Sequence, residues 1–100
     1  MSQSLRPSTL QPKFPLGQVL ATPAALREIE DAGQEPSFFL DRHIVGDWGD
    51  VDAEDQAAND WSLLHGERLL SAYKTLLGTR LWIITEADRS ATTILLPEEY

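Results

Sequence analysis

The spacing of hydrophobic positions changes period twice along this chain, and the changes mark out its elements. A polar stretch with two prolines over residues 1–13 reads as a flexible tail. Leu16-Gly17-Gln18-Val19-Leu20-Ala21 then has the length and composition of a short strand. From Thr22 the spacing is helical. Thr22 is a good N-cap, Pro23 suits the first helical position, and Leu26 and Ile29 lie three apart with Ala25 and Ala32 beside them. Gly33 closes this first helix. A second helix is predicted from Pro36 or Ser37 to about Val45, burying Phe39, Leu40, Ile44 and Val45 and ended by Gly46. A third runs from about Asp52 to His65. Asp52 caps it, Asp55 occupies the third position, the apolar stripe is Ala57, Ala58, Trp61 and Leu64 with Leu63 beside it, and Gly66 terminates it.

The last third of the chain shifts toward period two. Arg68–Thr75 alternates weakly, Arg80–Thr85 is rich in β-branched and aromatic residues, and Ala91–Leu96 is stopped by Pro97. Short connections, Leu77-Gly78-Thr79 and Glu86–Ser90, make these three strands an antiparallel meander. The predicted class is therefore α+β in the order β-α-α-α-β-β-β, with three helices packed on one face of a small antiparallel sheet, in one domain over residues 14–100.

Charge and cysteine content narrow the chemistry. No cysteine is present, which excludes disulfides, Cys-ligated zinc and thiol catalysis. Sixteen acids against eight bases give a net charge of −8, which opposes direct nucleic-acid binding because that depends on Lys and Arg at phosphates. The same charge opposes attachment to an anionic membrane. No apolar run is long enough to span a bilayer and the N-terminus has no signal-peptide pattern, so the expected location is cytoplasmic. The charge is compatible with a protein partner that has a basic surface, and equally with simple solubility.

The acids concentrate between His43 and Glu67, a window with seven carboxylates and no Lys or Arg. Asp50-Val51-Asp52-Ala53-Glu54 follows the one-three-five spacing of a calcium loop, but position six is Asp55 where a glycine must turn and position twelve is Trp61 where a bidentate Glu is needed. Starting a helix explains the same residues: Asp52 as cap, Glu54 and Asp55 at the positive end of its dipole. His43 and His65 read as surface or capping histidines. There is no Gly-x-Ser-x-Gly elbow and no glycine-rich phosphate loop. No catalytic residue, cofactor or metal ligand is assigned.

Two surfaces remain as candidates for binding a protein. One is the acidic corner, with Asp47, Trp48, Asp50, Asp52, Glu54 and Asp55; there Trp48 either plugs the turn between the second and third helices or is an exposed anchor. The other is the last hairpin connection, with Glu86, Asp88 and Arg89, where the simpler reading is that Asp88 shapes the turn and Arg89 balances neighbouring acids. Trp61 and Trp82 fall on predicted elements and are expected in the core.

Two blocks carry a resemblance. Phe14-Pro15-Leu16-Gly17-Gln18-Val19-Leu20-Ala21-Thr22-Pro23 with Gly46-Asp47-Trp48-Gly49 form the first. Gly66-Glu67-Arg68-Leu69-Leu70-Ser71-Ala72-Tyr73, then Trp82 through Ser90, form the second. Over residues 14–100 the chain resembles a family of small bacterial proteins often encoded on plasmids and other mobile elements, the plasmid-related proteins, for which no activity is established. Some members carry a restriction-system subunit label, but a methyltransferase subunit needs a glycine-rich cofactor loop that this chain lacks. The resemblance implies a mobile-element accessory role and supplies no catalytic residues. The expected function is a non-enzymatic acidic accessory protein acting through protein–protein binding, of inhibitor or DNA-mimic type. The alternative is a small metal-dependent hydrolase or nuclease using clustered carboxylates. An unprotected edge of the meander would also admit a homodimer.

Overall fold

The computed structural model describes residues 11–100. Most of the tail predicted for residues 1–13 lies outside the described residues; Lys13 is attached to the domain, its N–H donating to Ile44 O at 2.8 Å. The chain forms β1 (Gln18–Ala21), α1 (Pro23–Asp31), α2 (Pro36–Ile44), α3 (Ala53–His65), β2 (Leu69–Lys74), β3 (Arg80–Thr85), β4 (Ala91–Leu95) and a 3₁₀ turn at Pro97–Glu99. This is the predicted α+β order. The capping signals act as expected: Thr22 accepts from Ala25 N–H, Asp52 accepts from Asp55 N–H, and Gly66 takes the left-handed conformation at the end of α3.

The four strands lie in the order β1-β4-β3-β2. The meander β2-β3-β4 is antiparallel as predicted, but β1 pairs parallel to β4, so the sheet is mixed rather than antiparallel. The three helices supply the long crossover from β1 to the parallel strand β2 at the opposite edge, and the meander β2-β3-β4 then returns across the sheet to lay β4 beside β1 in the same direction. Across β2, β3 and β4 the helix-facing side is fully buried, with Leu69, Ser71 and Tyr73 from β2, Leu81, Ile83 and Thr85 from β3, and Thr92 and Ile94 from β4. Ala25 and Ile29 of α1 and Phe39 of α2 pack onto Tyr73, Leu81, Ile83 and Ile94. Leu26, predicted to share that face, stands more open at the surface. A second cluster joins Phe14, Trp48 and Leu69, with Leu63 of α3 against it.

The outer edge of β2 is closed twice. The Asn59 side-chain amide of α3 donates from Nδ2 to Leu70 O at 2.7 Å and accepts the Leu70 N–H on Oδ1 at 3.1 Å. One pair further along, Ala72 N–H donates to Trp48 O at 3.0 Å and Asp50 N–H to Ala72 O at 2.6 Å. Gly49 sits between these two bonds at φ 77°, where an added Cβ would lie 2.1 Å from Ala72 O, so only glycine fits this approach.

This closure overturns the prediction for α3. The helix buries Asn59 and Ser62, while Ala57, Ala58, Trp61 and Leu64, the expected buried stripe, face solvent. Trp61 is 54% exposed and Leu64 is 83% exposed. The hydrogen-bonding demand of the β2 edge outweighs the burial of two apolar side chains. Trp82, also expected in the core, is only half-buried on the other side of the sheet, edge-on to Tyr100. Among the described residues no helix is long and apolar enough to cross a membrane.

Replacing Asn59 with Leu keeps the volume and orphans both Leu70 backbone groups. It should lower unfolding free energy by about 1–3 kcal/mol, seen as a lower urea midpoint with an unchanged slope. A midpoint equal to that of the unsubstituted protein would mean that the amide does not hold the edge.

Candidate functional site

The acidic corner separates into engaged and free carboxylates. Asp47 is engaged: Arg42 donates to it from Nε at 2.7 Å and from Nη2 at 3.2 Å, and Gly49 N–H donates to its Oδ1 at 3.2 Å. The Arg42 hydrogen bond holds the Asp47 carboxyl below its usual range, against the opposing effect of partial burial. Arg42 lies over the Tyr73 ring at 4.5 Å, and the Tyr73 hydroxyl donates to Asp47 O at 2.5 Å. Burial pushes that phenol up to about 12. Asp52 is used as the α3 cap. Asp50, Glu54 and Asp55 are exposed and accept no side-chain hydrogen bond among the described residues, although Asp50 lies within the field of the Arg42 guanidinium.

Trp48 is buried and plugs the corner between α2 and α3. Its indole N–H donates to Asp60 Oδ1 at 3.0 Å, and its ring stacks on Phe14 and meets His43 edge-on. It offers no exposed anchor. The exposed aromatic is Trp61, stacked on His65 with ring centroids 4.0 Å apart. Glu54, Ala57, Ala58, Trp61, Leu64 and His65 recur at helical spacing, so they share one outward face of α3.

The hairpin connection between β3 and β4 is a clamp. Arg89 takes φ 61°, unusual for a residue with a side chain, and its guanidinium donates inward. Nη1 reaches Glu67 O at 2.6 Å, Glu86 O at 3.1 Å and Ala87 O at 3.2 Å, and Nη2 reaches Ser62 O at 3.2 Å. Arg89 therefore satisfies carbonyls at the C-terminal end of α3, where a cation is favoured by the dipole; it makes no ion pair with Glu86 or Asp88. Asp88 shapes the turn by accepting from Ser90 N–H at 3.0 Å, and hydrogen bonds from Ser90 hold its carboxyl below the usual range. The two predicted patches thus sit at opposite ends of α3, roughly 18 Å apart by helix rise.

The reading of His43 as a surface or capping residue is wrong. His43 is fully buried at the centre of a hydrogen-bonded chain that links α2 to three strands. Its Nδ1 meets Ser71 Oγ at 2.5 Å and its Nε2 meets Thr85 Oγ1 at 2.8 Å. Thr85 Oγ1 meets Thr92 Oγ1 at 2.7 Å, and Thr92 donates to Leu16 O at 2.8 Å. Counting protons fixes the directions. The Thr92 hydroxyl proton is spent on Leu16 O, so Thr85 must donate to Thr92 and accept from His43 Nε2–H. His43 Nδ1 is then the acceptor, and Ser71 donates to it. A Ser–His pair is the geometry of an activated nucleophile, but Ser71 is fully buried and the ring is oriented by a threonine rather than a carboxylate. Burial, and then the nearby Arg89 charge, pushes His43 down to about 4. Among the described residues no group of three or more His, Asp or Glu side chains could hold a metal ion.

Two outcomes are expected. Arg89→Ala should cost about 1–3 kcal/mol by removing a charged donor shared by four carbonyls, whereas Glu86→Ala should change stability by less than about 0.5 kcal/mol; chemical denaturation compares them. His43 makes stability depend on pH. The unfolded imidazole takes its proton near an ordinary value of about 6.5, the folded one only near about 4. Between these the unfolded state binds the extra proton, so stability is full above the window and falls as pH drops through it, by about 3 kcal/mol in total. Urea midpoints at about pH 7.5 and about pH 5 should show this slope, and His43→Gln should lack that component. Comparison with known protein families, with curated proteins and with solved structures finds no match to this chain.

Proposed function

We propose that this chain is a non-enzymatic accessory protein that acts by binding another protein through the outward face of α3. The observation that carries this reading is the inversion of that helix: Asn59 and Ser62 face the sheet, and Ala57, Ala58, Trp61 and Leu64 face solvent. Residues at this spacing are the anchors by which an amphipathic helix enters an apolar groove. Trp is among the residues that dominate binding energy, and the two alanines beside it allow close approach. Glu54 lies on the same face, and the exposed Asp50 and Asp55 form no ion pair among the described residues. The occupant that fits is a protein with an apolar groove bordered by Lys and Arg. Where those cations ordinarily meet nucleic-acid phosphates, the carboxylates compete with them and the chain is an inhibitor of DNA-mimic type. The placement of this activity among cytoplasmic mobile-element accessory functions is part of the same proposal; it rests on the sequence resemblance and on the absence of a membrane-spanning helix among the described residues.

Trp61→Ala and Leu64→Ser should abolish capture of the partner from host lysate, a loss of at least about 30-fold in affinity for a hot-spot residue. Both should leave the urea midpoint unchanged, because the side chains make few contacts in the fold. Capture should also weaken at high salt. If both variants retain every captured protein, the reading is wrong.

A further inference from the structure

We infer that β1 is a self-pairing edge, and that two copies of this chain join there into one continuous sheet. The two edges of the sheet are treated differently by the sequence. The β2 edge is closed by the Asn59 amide and by the Trp48–Asp50 segment. Among the described residues the β1 edge carries neither device: all four of its residues are exposed, Val19 and Leu20 at 44% each. Gln-Val-Leu-Ala contains no charge and no proline, the residues that usually guard an edge.

The backbone phase defines what is offered. Gln18 N–H donates to Ser90 O at 2.9 Å and Thr22 N–H to Ile94 O at 3.0 Å, both toward β4. Successive residues alternate, so Leu20 also faces β4, and the N–H and C=O groups of Val19 and Ala21 point away from the sheet. An antiparallel copy centred on Leu20 places Val19 opposite Ala21 of the partner subunit and Ala21 opposite the partner's Val19. Each of these pairs exchanges two hydrogen bonds, and the two Leu20 side chains meet across the two-fold axis in the close, non-hydrogen-bonded position. Among the two-fold registers in phase with these groups, this one pairs both Val19 and Ala21 within the strand. Gly17 fixes its start: at φ 65° its α-carbon lies so close to the hairpin that a Cβ would fall 2.4 Å from Arg89 O and Ser90 O.

Charge selects a second copy as the occupant. Two molecules of net charge −8 repel, and association costs least where no acid lies. Residues 1–27 contain three bases, Arg6, Lys13 and Arg27, and no Asp or Glu, whereas the other 73 residues hold all sixteen acids and five bases. β1 lies inside the acid-free segment of the sequence, and the carboxylate that the fold brings to its end, Glu99, is held by the Thr22 hydroxyl at 2.7 Å and the Leu96 N–H at 2.8 Å. This interface is independent of the α3 face and leaves it open.

Sedimentation of the full chain from about 10 µM to about 500 µM should show the mass rising toward twice the monomer, and the dimer should tighten as salt screens the net charge. Val19 and Ala21 amides should gain hydrogen-exchange protection over the same range. Leu20→Lys, which sets two ammonium groups face to face at an exposed position, should remain monomeric, while Trp61→Ala should dimerise normally. A chain that stays monomeric throughout overturns the inference, whether its Val19 and Ala21 amides exchange fast or are protected by another segment. A dimer that Leu20→Lys leaves intact overturns it as well. Because Leu20→Lys leaves α3 unaltered, loss of dimer with retained partner capture separates this inference from the proposed function.

Discussion

The backbone groups along the outer edge of β2 must find hydrogen bonds, and the way they do so governs much of the molecule. Leu70 and Ala72 turn their N–H and C=O groups out of the sheet, and an unpaired, partly buried amide is costly. Asn59 supplies one donor and one acceptor in the geometry of a missing strand. To bring it there α3 must turn its polar side inward, which leaves Trp61 and Leu64 in water. The Trp48–Asp50 segment completes the closure and in doing so buries Trp48 beneath the corner. The exposed apolar face and the buried polar one are thus two consequences of a single constraint.

The His43 chain is the second polar structure inside the domain. It crosses from Ser71 on β2 through Thr85 and Thr92 to the carbonyl of Leu16, so it ties three strands and the entry to β1 to the ring on α2. Every hydroxyl proton in it has one destination, which makes the core sensitive to protonation of the ring. Such fully satisfied networks specify one arrangement more sharply than apolar packing, since any other register leaves a buried group unpaired.

The distribution of charge gives the molecule two unlike surfaces. The acids begin at Glu28, and several of those between His43 and Glu67 are consumed locally: Asp47 by Arg42, Asp52 by the start of α3, Asp60 by the Trp48 indole. The carboxylates without a hydrogen-bonded ion pair among the described residues include Asp50, Glu54 and Asp55, and Glu54 shares the outward apolar face of α3. β1 lies in the part of the chain free of acid. The acid-bordered face of α3 and the uncharged strand β1 therefore belong to opposite edges of the same sheet.

Local chemistry made the elements legible in the sequence. Thr22, Pro23, Asp52 and Gly66 act through neighbours only a few residues away, so helix starts and stops could be read directly, and strand composition marked β3 and β4. What depended on distant partners could not be read in the same way. An apolar stripe implies burial only when nothing stronger claims the opposite face, and the claim of Leu70 on Asn59 arises eleven residues away in another element. His43 looked superficial because its partners, Ser71 and Thr85, are 28 and 42 residues distant. Arg89 looked like a loop charge until the hairpin was laid against α3. The sequence by itself determined the order, ends and class of the elements, because those follow from short-range sterics and capping. The tertiary structure alone decided which face of α3 is outside, which histidine is buried and which sheet edge is open, because each depends on backbone hydrogen bonds between segments far apart in the chain.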